Sequence, residues 1–187
     1  MQTLRIGPDD GTLRLHTGVE GKAARLGHDL VLALDDWSGE VVVDDEVPVS
    51  AVLRARVQSL RVESGSGGAK PLSDRDRRTI RANAVSALRG DQFPEIVFTA
   101  SSATSVPGGF TLHGELAISG RVRPREVDVR VAEDTGGWSV AVRTEVAQTD
   151  HDVAPYSAML GALRLRDRVD VAFDAAVPRP LDPPADR

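Results

Sequence analysis

An alternation of apolar and polar residues between positions 110 and 131 constrains this chain more than any other feature. Apolar or small residues occupy every second position of segment 110–118, and valines do so in segment 127–131, between charged neighbours. A period of two is typical of a strand with one face in a core and the other in water. Residues 120–124 supply turn-forming glycine and proline between the two segments, which predicts an antiparallel hairpin.

Most of the remaining chain repeats this alternation in shorter segments. They cover residues 12–17, 30–34, 40–43, 51–58, 96–100, 138–144 and 169–177. The whole pattern therefore predicts eight or nine strands. The Gly/Ser-rich residues 64–69 break it, and we expect them to form a flexible surface loop. Eight antiparallel strands close most simply into a barrel, because closure removes the exposed sheet edges.

One helix is expected to interrupt the strands, between about Ser73 and Arg89. Ser73 is a suitable N-cap, Asp74 and Asp76 are favourable near the positive end of the helix, and Gly90 is a natural stop. The apolar residues of this segment share one face, so we expect the helix to lie across a sheet edge or barrel end. Its five arginines are interpreted as a solvated face, with a phosphate-binding patch as the alternative.

Composition excludes several classes of protein. The 187-residue chain has no cysteine, which excludes a disulfide scaffold, a thiolate zinc site and a cysteine nucleophile. It has no apolar run of the ~18 residues that a membrane span needs. The N-terminus lacks the layout of a signal peptide, so we expect a cytoplasmic protein. A net charge of -5 argues against a general nucleic-acid surface.

The predicted barrel is expected to be hollow rather than filled. Ala51, Ala55 and Gly114 fall at inward positions, and aromatic residues make up only 4% of the chain, so few bulky rings are available for a core. An eight-stranded barrel is just wide enough for packed side chains or one small ligand. The filled core stays the alternative. The candidate cavity residues are Leu13, Leu32, Leu53, Phe98, Leu112, Leu116, Val129, Val140 and Phe173.

Several motifs resemble those of the YceI family of lipocalin-like barrels. They are GHD at residues 27–29, WSGEV at 37–41, DQFPEIVFTAS at 91–101, GELAISGRVRPREVDV at 114–129 and the closing segment 159–173. Together they span nearly the whole chain. The resemblance implies an all-β fold: an antiparallel eight-stranded lipocalin-like barrel with one substantial helix. The domain would cover residues 1–177, and a Pro-rich disordered tail would cover residues 178–187.

The resemblance also implies a ligand and an assembly. Members of the family enclose a long isoprenoid or a similar amphiphile, and they often form homodimers. The chain departs from the family pattern in two places. Exported members carry a signal peptide, which this chain does not show, and His151, Asp152 and Val153 stand where relatives often have an aromatic-Gly-Ile segment.

Four histidines are the candidates for site chemistry. His16 and His113 are polar alternates of their strands and should point outward, and no histidine pair has the spacing of a helical metal site, so we expect no metal. The predicted polar mouth of the barrel consists of His28, Asp29, His151 and Tyr156. Two interpretations of His28 and His151 stay open. Each histidine donates a hydrogen bond to a ligand head group, or each lies in a turn whose Asp side chains bond backbone amides.

Three functions follow from these observations. The leading one is a carrier that sequesters a polyisoprenoid, quinone or similar amphiphile, with no chemistry and no cofactor beyond that bound lipid. The second is an enzyme or isomerase on an apolar substrate, using a mouth histidine as acid and base. No nucleophile elbow of the form GxSxG is present to support hydrolysis. The third is a filled barrel that acts as a stress or interaction module.

Overall fold

The computed structural model describes residues 1–134 and 136–178. Within them the chain forms fourteen β-strands and one α-helix, α1 (Asp74–Ala87). The strands are β1 (Gln2–Ile6), β2 (Gly11–Thr17), β3 (Val19–Glu20), β4 (His28–Leu34), β5 (Trp37–Asp44), β6 (Val47–Arg56), β7 (Leu60–Gly67), β8 (Glu95–Val106), β9 (Gly109–Ile118), β10 (Arg121–Asp134), β11 (Gly137–Ala147), β12 (Ser157–Ala158), β13 (Leu163–Leu165) and β14 (Arg168–Pro178).

Eleven of these described strands form one antiparallel sheet, in the order β1-β5-β6-β8-β9-β10-β11-β14-β2-β4-β7. Among the links between strands near opposite ends of this order are two short crossings, from β4 to β5 and from β6 to β7. Only Asp35 and Asp36 separate β4 from β5, and so short a link spans no more than about 10 Å. The two ends of the sheet are therefore close together, which requires the sheet to curl into a barrel.

The predicted all-β barrel with one substantial helix is confirmed, but its strand count was wrong. The hairpin at its centre is β9 and β10, which pair from Arg121 opposite Ile118 to Arg130 opposite Gly109. The Gly/Ser tract was expected to be a loop, yet residues 64–67 belong to β7 and pair with β4. Hydrogen bonding to a neighbouring strand decides strand structure there, although the side chains have low β-propensity.

The two crossings hold the core of the barrel. The Arg56 amide donates to the Asp36 carbonyl at 2.9 Å, which ties one crossing to the other. Trp37, only 4% exposed, begins β5 directly after the first crossing. Its ring meets Phe173 of β14 edge-on, with ring centroids 5.1 Å apart. Leu34 and Leu60, the residues nearest the crossings in β4 and β7, are also buried in this cluster.

Helix α1 covers the free edge of the sheet at β7. Its N-terminus has the expected capping box between Ser73 and Asp76. The Arg77 guanidinium donates to the carbonyls of Val62 and Glu63, each at 3.1 Å, and Arg81 donates to the carbonyl of Gln58. The interpretation of the arginines as a solvated face was therefore wrong for these two, which satisfy carbonyls next to an otherwise exposed edge.

The end of α1 also differs from the expectation. The helix ends at Ala87, and Arg89 adopts the left-handed conformation with φ 52°. Gly90 is needed for a different reason, since a Cβ there would lie 2.8 Å from a Val57 methyl group. The predicted tail begins at Pro178, which is the last residue of β14, and its remaining residues 179–187 lie outside the described part of the chain.

Candidate functional site

The barrel encloses a cavity of about 1140 Å³. Every residue predicted to line it does so: Leu13, Leu32, Leu53, Phe98, Leu112, Leu116, Val129, Val140 and Phe173. Alternation explains the agreement, because residues two apart on a strand share a face. Ile80 and Ala84 of α1 and its C-cap Leu88 line the cavity as well, so the helix adds apolar surface to the wall. Whether these residues contact a ligand stays a prediction.

Two residues of the predicted polar mouth lie at one end of the cavity. His28 lines it and is half-buried, with its ring Nε2 2.8 Å from the Lys70 carbonyl oxygen. Tyr156 also lines it and is 48% exposed, so its side chain reaches solvent. His28 was expected in a loop, but it is the first residue of β4 and pairs with Gly67.

Asp29 does not line the cavity, and its assignment to the mouth was wrong. It follows His28 on β4 and is exposed. Because successive side chains of a strand point to opposite faces, the inward position of His28 turns Asp29 outward. Its carboxylate accepts a hydrogen bond from the Val19 amide at 2.8 Å, which holds β3 against β4.

We expect His28→Ala to weaken amphiphile binding without unfolding the protein. The ring Nε2 is bound to the Lys70 carbonyl, which leaves Nδ1 for one hydrogen bond with a ligand head group, so the loss should be about 0.5–1.5 kcal/mol of binding free energy. Displacement of a fluorescent fatty-acid probe measures it. His16→Ala is the matched control, since His16 is exposed on the outer face of β2. Equal affinities of the two variants would remove His28 from the site.

His151 lies in a turn, as one of its two interpretations expected, but it is buried. It is 3% exposed, ends the 3-10 turn Gln148–His151 and lines the cavity. Its Nδ1 lies 3.0 Å from the Arg121 carbonyl, so Nδ1 donates and Nε2 is left as the second ring nitrogen. No described residue forms a hydrogen bond with Nε2.

The turn that carries His151 is fastened by Asp167. The Asp167 carboxylate accepts from the Thr149 amide at 2.9 Å and from the Thr149 hydroxyl at 2.7 Å. The hydroxyl bond stabilises the charged carboxylate and holds the pKa of Asp167 below its usual value. Within the described part of the chain, no hydrogen bond joins the side chain of Asp150 or Asp152 to this turn, although the Asp152 amide donates to the Thr149 carbonyl at 3.2 Å. Arg123 donates to the Asp150 carbonyl at 2.8 Å, and Arg121 forms an ion pair with Asp152.

Arg125 is one of the polar cavity residues that the sequence interpretation missed. Backbone pairing between β10 and β11 stops at Val129 opposite Val142. Beyond that point Arg125 bridges the two strands, donating to the Thr144 hydroxyl and to the Glu145 carbonyl at 2.6 Å. Arg125 shares the inward position of Val127 and Val129 in the alternation, and that was the available signal, although the predicted turn and strand both left the residue out.

The described residues offer little for catalysis or metal binding. No group of three His, Cys, Asp or Glu side chains among them could hold a metal ion. One hydroxyl–imidazole–carboxylate chain is present: His113 lies 2.9 Å from the Thr104 hydroxyl and 3.1 Å from Glu126. It lies on the outer face of the barrel and none of its members lines the cavity. The cavity wall itself presents apolar surface and a few polar side chains, an arrangement suited to binding.

Comparison with known proteins agrees with this geometry. BcnA of Burkholderia cenocepacia has a similar structure, with a TM-score of 0.64 and 15% identity over 87% of this chain and 94% of that one. The YCEI protein of Campylobacter jejuni is also similar, with a TM-score of 0.60 and 11% identity over 80% of this chain and 85% of that one. A search of curated proteins found no match.

In the part of the chain that the structure describes, no helix has the length and apolarity needed to cross a membrane. The family model of the YceI-like domain matches residues 14–177. The match includes all strands from β3 to β13 and helix α1. It also includes every cavity residue except Ile6 and Leu13, which precede residue 14. The chain therefore belongs to the YceI-like domain family.

Proposed function

We propose that the protein binds an amphiphile with a long apolar chain, such as a polyisoprenoid or a quinone, inside the barrel, and acts as its carrier. The cavity of about 1140 Å³ carries this proposal. Ligand pockets of proteins measure roughly 300–1,000 Å³. The cavity is thus large enough for an extended chain, and its wall is built mostly from Leu, Ile, Val and Phe side chains.

The binding energy would come from burial of the apolar chain. Each methylene transferred from water into the cavity contributes about 0.8 kcal/mol. Polar groups such as His28 and Tyr156 at one end would orient the head of the ligand, with its chain directed towards the interior. No bond of the ligand is broken in this function, so it needs no catalytic residue.

A chain-length series tests the proposal. Bound lipid is first removed with organic solvent, and the protein is checked to be folded afterwards. It is then titrated with a fluorescent long-chain fatty acid, followed by unlabelled competitors of increasing length. We expect affinity to rise by about fourfold per added methylene until the cavity is full. Affinity that is independent of chain length would contradict burial of the chain in the barrel.

The enzyme alternative rests on His151, which is buried and lines the cavity. An acid and base role would leave a bound amphiphile chemically changed. Incubation of the protein with the bound amphiphile, followed by mass analysis of the extract, distinguishes the two functions. We expect the ligand to be recovered unchanged. A product that disappears in His151→Ala would favour the enzyme.

Location and assembly stay predictions. We propose a cytoplasmic location and a homodimer, in line with the sequence interpretation. Light scattering across a dilution series measures the mass in solution against the 20.0 kDa of one chain.

A further inference from the structure

Arg125 places an uncompensated charge in the wall of an apolar cavity. It lines the cavity from β10, two residues from Val127 on the same face of the strand. The two arginines that precede it on the same side of the strand have partners of their own. Arg121 forms an ion pair with Asp152, and Arg123 donates to the Asp150 carbonyl. In residues 1–134 and 136–178, no carboxylate forms an ion pair with Arg125.

The hydrogen bonds of Arg125 leave most of its donors unused. Nη2 makes both bonds, to Thr144 and Glu145, and both acceptors are neutral oxygens. Nε is buried and has no partner. The side chain as a whole is half-buried, but its Nε atom is buried, and buried polar atoms are almost always paired. The free Nε–H therefore indicates a missing acceptor.

A second unpaired polar atom lies at the same end of the cavity. Arg125 Nε and Thr17 Oγ1 are buried side-chain atoms without a hydrogen-bond partner in the described part of the chain, and both residues line this cavity. His16 pairs with Asp170, and the next residues along these strands are Thr17 and Val169. Val169 pairs with Val146, two residues from the Arg125 partner Thr144. His151, with its unpaired Nε2, follows the same end of β11.

We propose that Arg125 binds an anionic oxygen head group, a carboxylate or a phosphate ester, of the amphiphile in the cavity. This inference rests on the proposed function and names the chemical class of its ligand. The ligand anion accepts from Arg125 Nε–H and supplies the counter-charge that the protein does not provide. Arginine suits this role because its planar fork matches carboxylate and phosphate oxygens. Thr17 and His151 offer further polar atoms at the same end.

Head groups on a constant chain test the proposal. The extracted protein is titrated with a long-chain fatty acid, the alkyl phosphate and the fatty alcohol of equal length. We expect the wild type to bind the acid or the phosphate about tenfold or more tightly than the alcohol, as for one charge-assisted hydrogen bond. The better of the two anions identifies which head group fits.

Variants locate the preference. Arg125→Met should reduce affinity for the anions to that for the alcohol and leave the alcohol unchanged. Arg123→Met is the matched control, since Arg123 is exposed on the same strand, and it should keep the preference. Equal wild-type affinities for alcohol and anions would overturn the proposal and leave chain binding intact. Absence of binding by all three would overturn the proposed function as well. The wild-type comparison decides even if Arg125→Met does not fold.

Discussion

Leu116→Trp is expected to abolish amphiphile binding while the protein stays folded. Leu116 lines the cavity from β9, so the added indole ring occupies space that the ligand chain would otherwise fill. Exclusion of only two methylenes already lowers affinity by more than about tenfold. In a close-packed core the same change costs ~1–3 kcal/mol of stability. A cavity of about 1140 Å³ should accept the ring with little change in Tm.

Val122→Trp is the control for this variant. Val122 lies on the neighbouring strand β10, is 50% exposed and points away from the cavity. The same ring is therefore added outside the barrel. Probe displacement and thermal unfolding are measured on both variants. We expect lost binding with a near wild-type Tm for Leu116→Trp, and no effect for Val122→Trp. A large loss of stability in Leu116→Trp, with unchanged probe affinity, would mean that the interior is filled.

Trp37→Ala is expected to produce the opposite result, a large loss of stability. The ring is 4% exposed, packs edge-on against Phe173 and belongs to the core cluster at the crossings. Truncation of a buried Trp to Ala costs about 3–5 kcal/mol. For a domain of this size the loss lowers Tm by on the order of 10 °C. Trp37 does not line the cavity, so binding measured well below Tm should persist.

Val122→Ala provides the reference for this loss. Its side chain is half exposed, and truncation on the surface usually changes stability by less than about 0.5 kcal/mol. Equal Tm values for Trp37→Ala and Val122→Ala would show that the crossings do not stabilise the barrel.

The sequence was sufficient to predict the inner wall of the barrel because alternation is a local signal. A strand turns every second residue to the same side, so Leu112 and Leu116 of β9 could be assigned inward without knowledge of their neighbours. The same reasoning identifies Val140 and Phe173. The hairpin of β9 and β10 needs only two adjacent segments, and it was correct for that reason, although residues 121–124, expected in the turn, belong to β10.

What could not be predicted depends on partners distant in sequence. The Gly/Ser residues of β7 are a strand because β4 pairs with them, and Arg77 leaves solvent because that strand offers free carbonyls. His151 is buried because the Arg121 carbonyl accepts its Nδ1–H. Arg125 bridges β10 and β11 because their backbone pairing stops at Val129, and the sequence does not show where that pairing stops.

Native mass spectrometry of the purified protein tests the central claim, a hollow barrel that holds one amphiphile, most directly. The spectrum is recorded as purified, after organic extraction, and after incubation with a total lipid extract. We predict one amphiphile of constant mass per chain, removed by extraction and regained on incubation, and regained by Val122→Trp but not by Leu116→Trp. The bare mass of the chain in all three states of the wild type would contradict the claim.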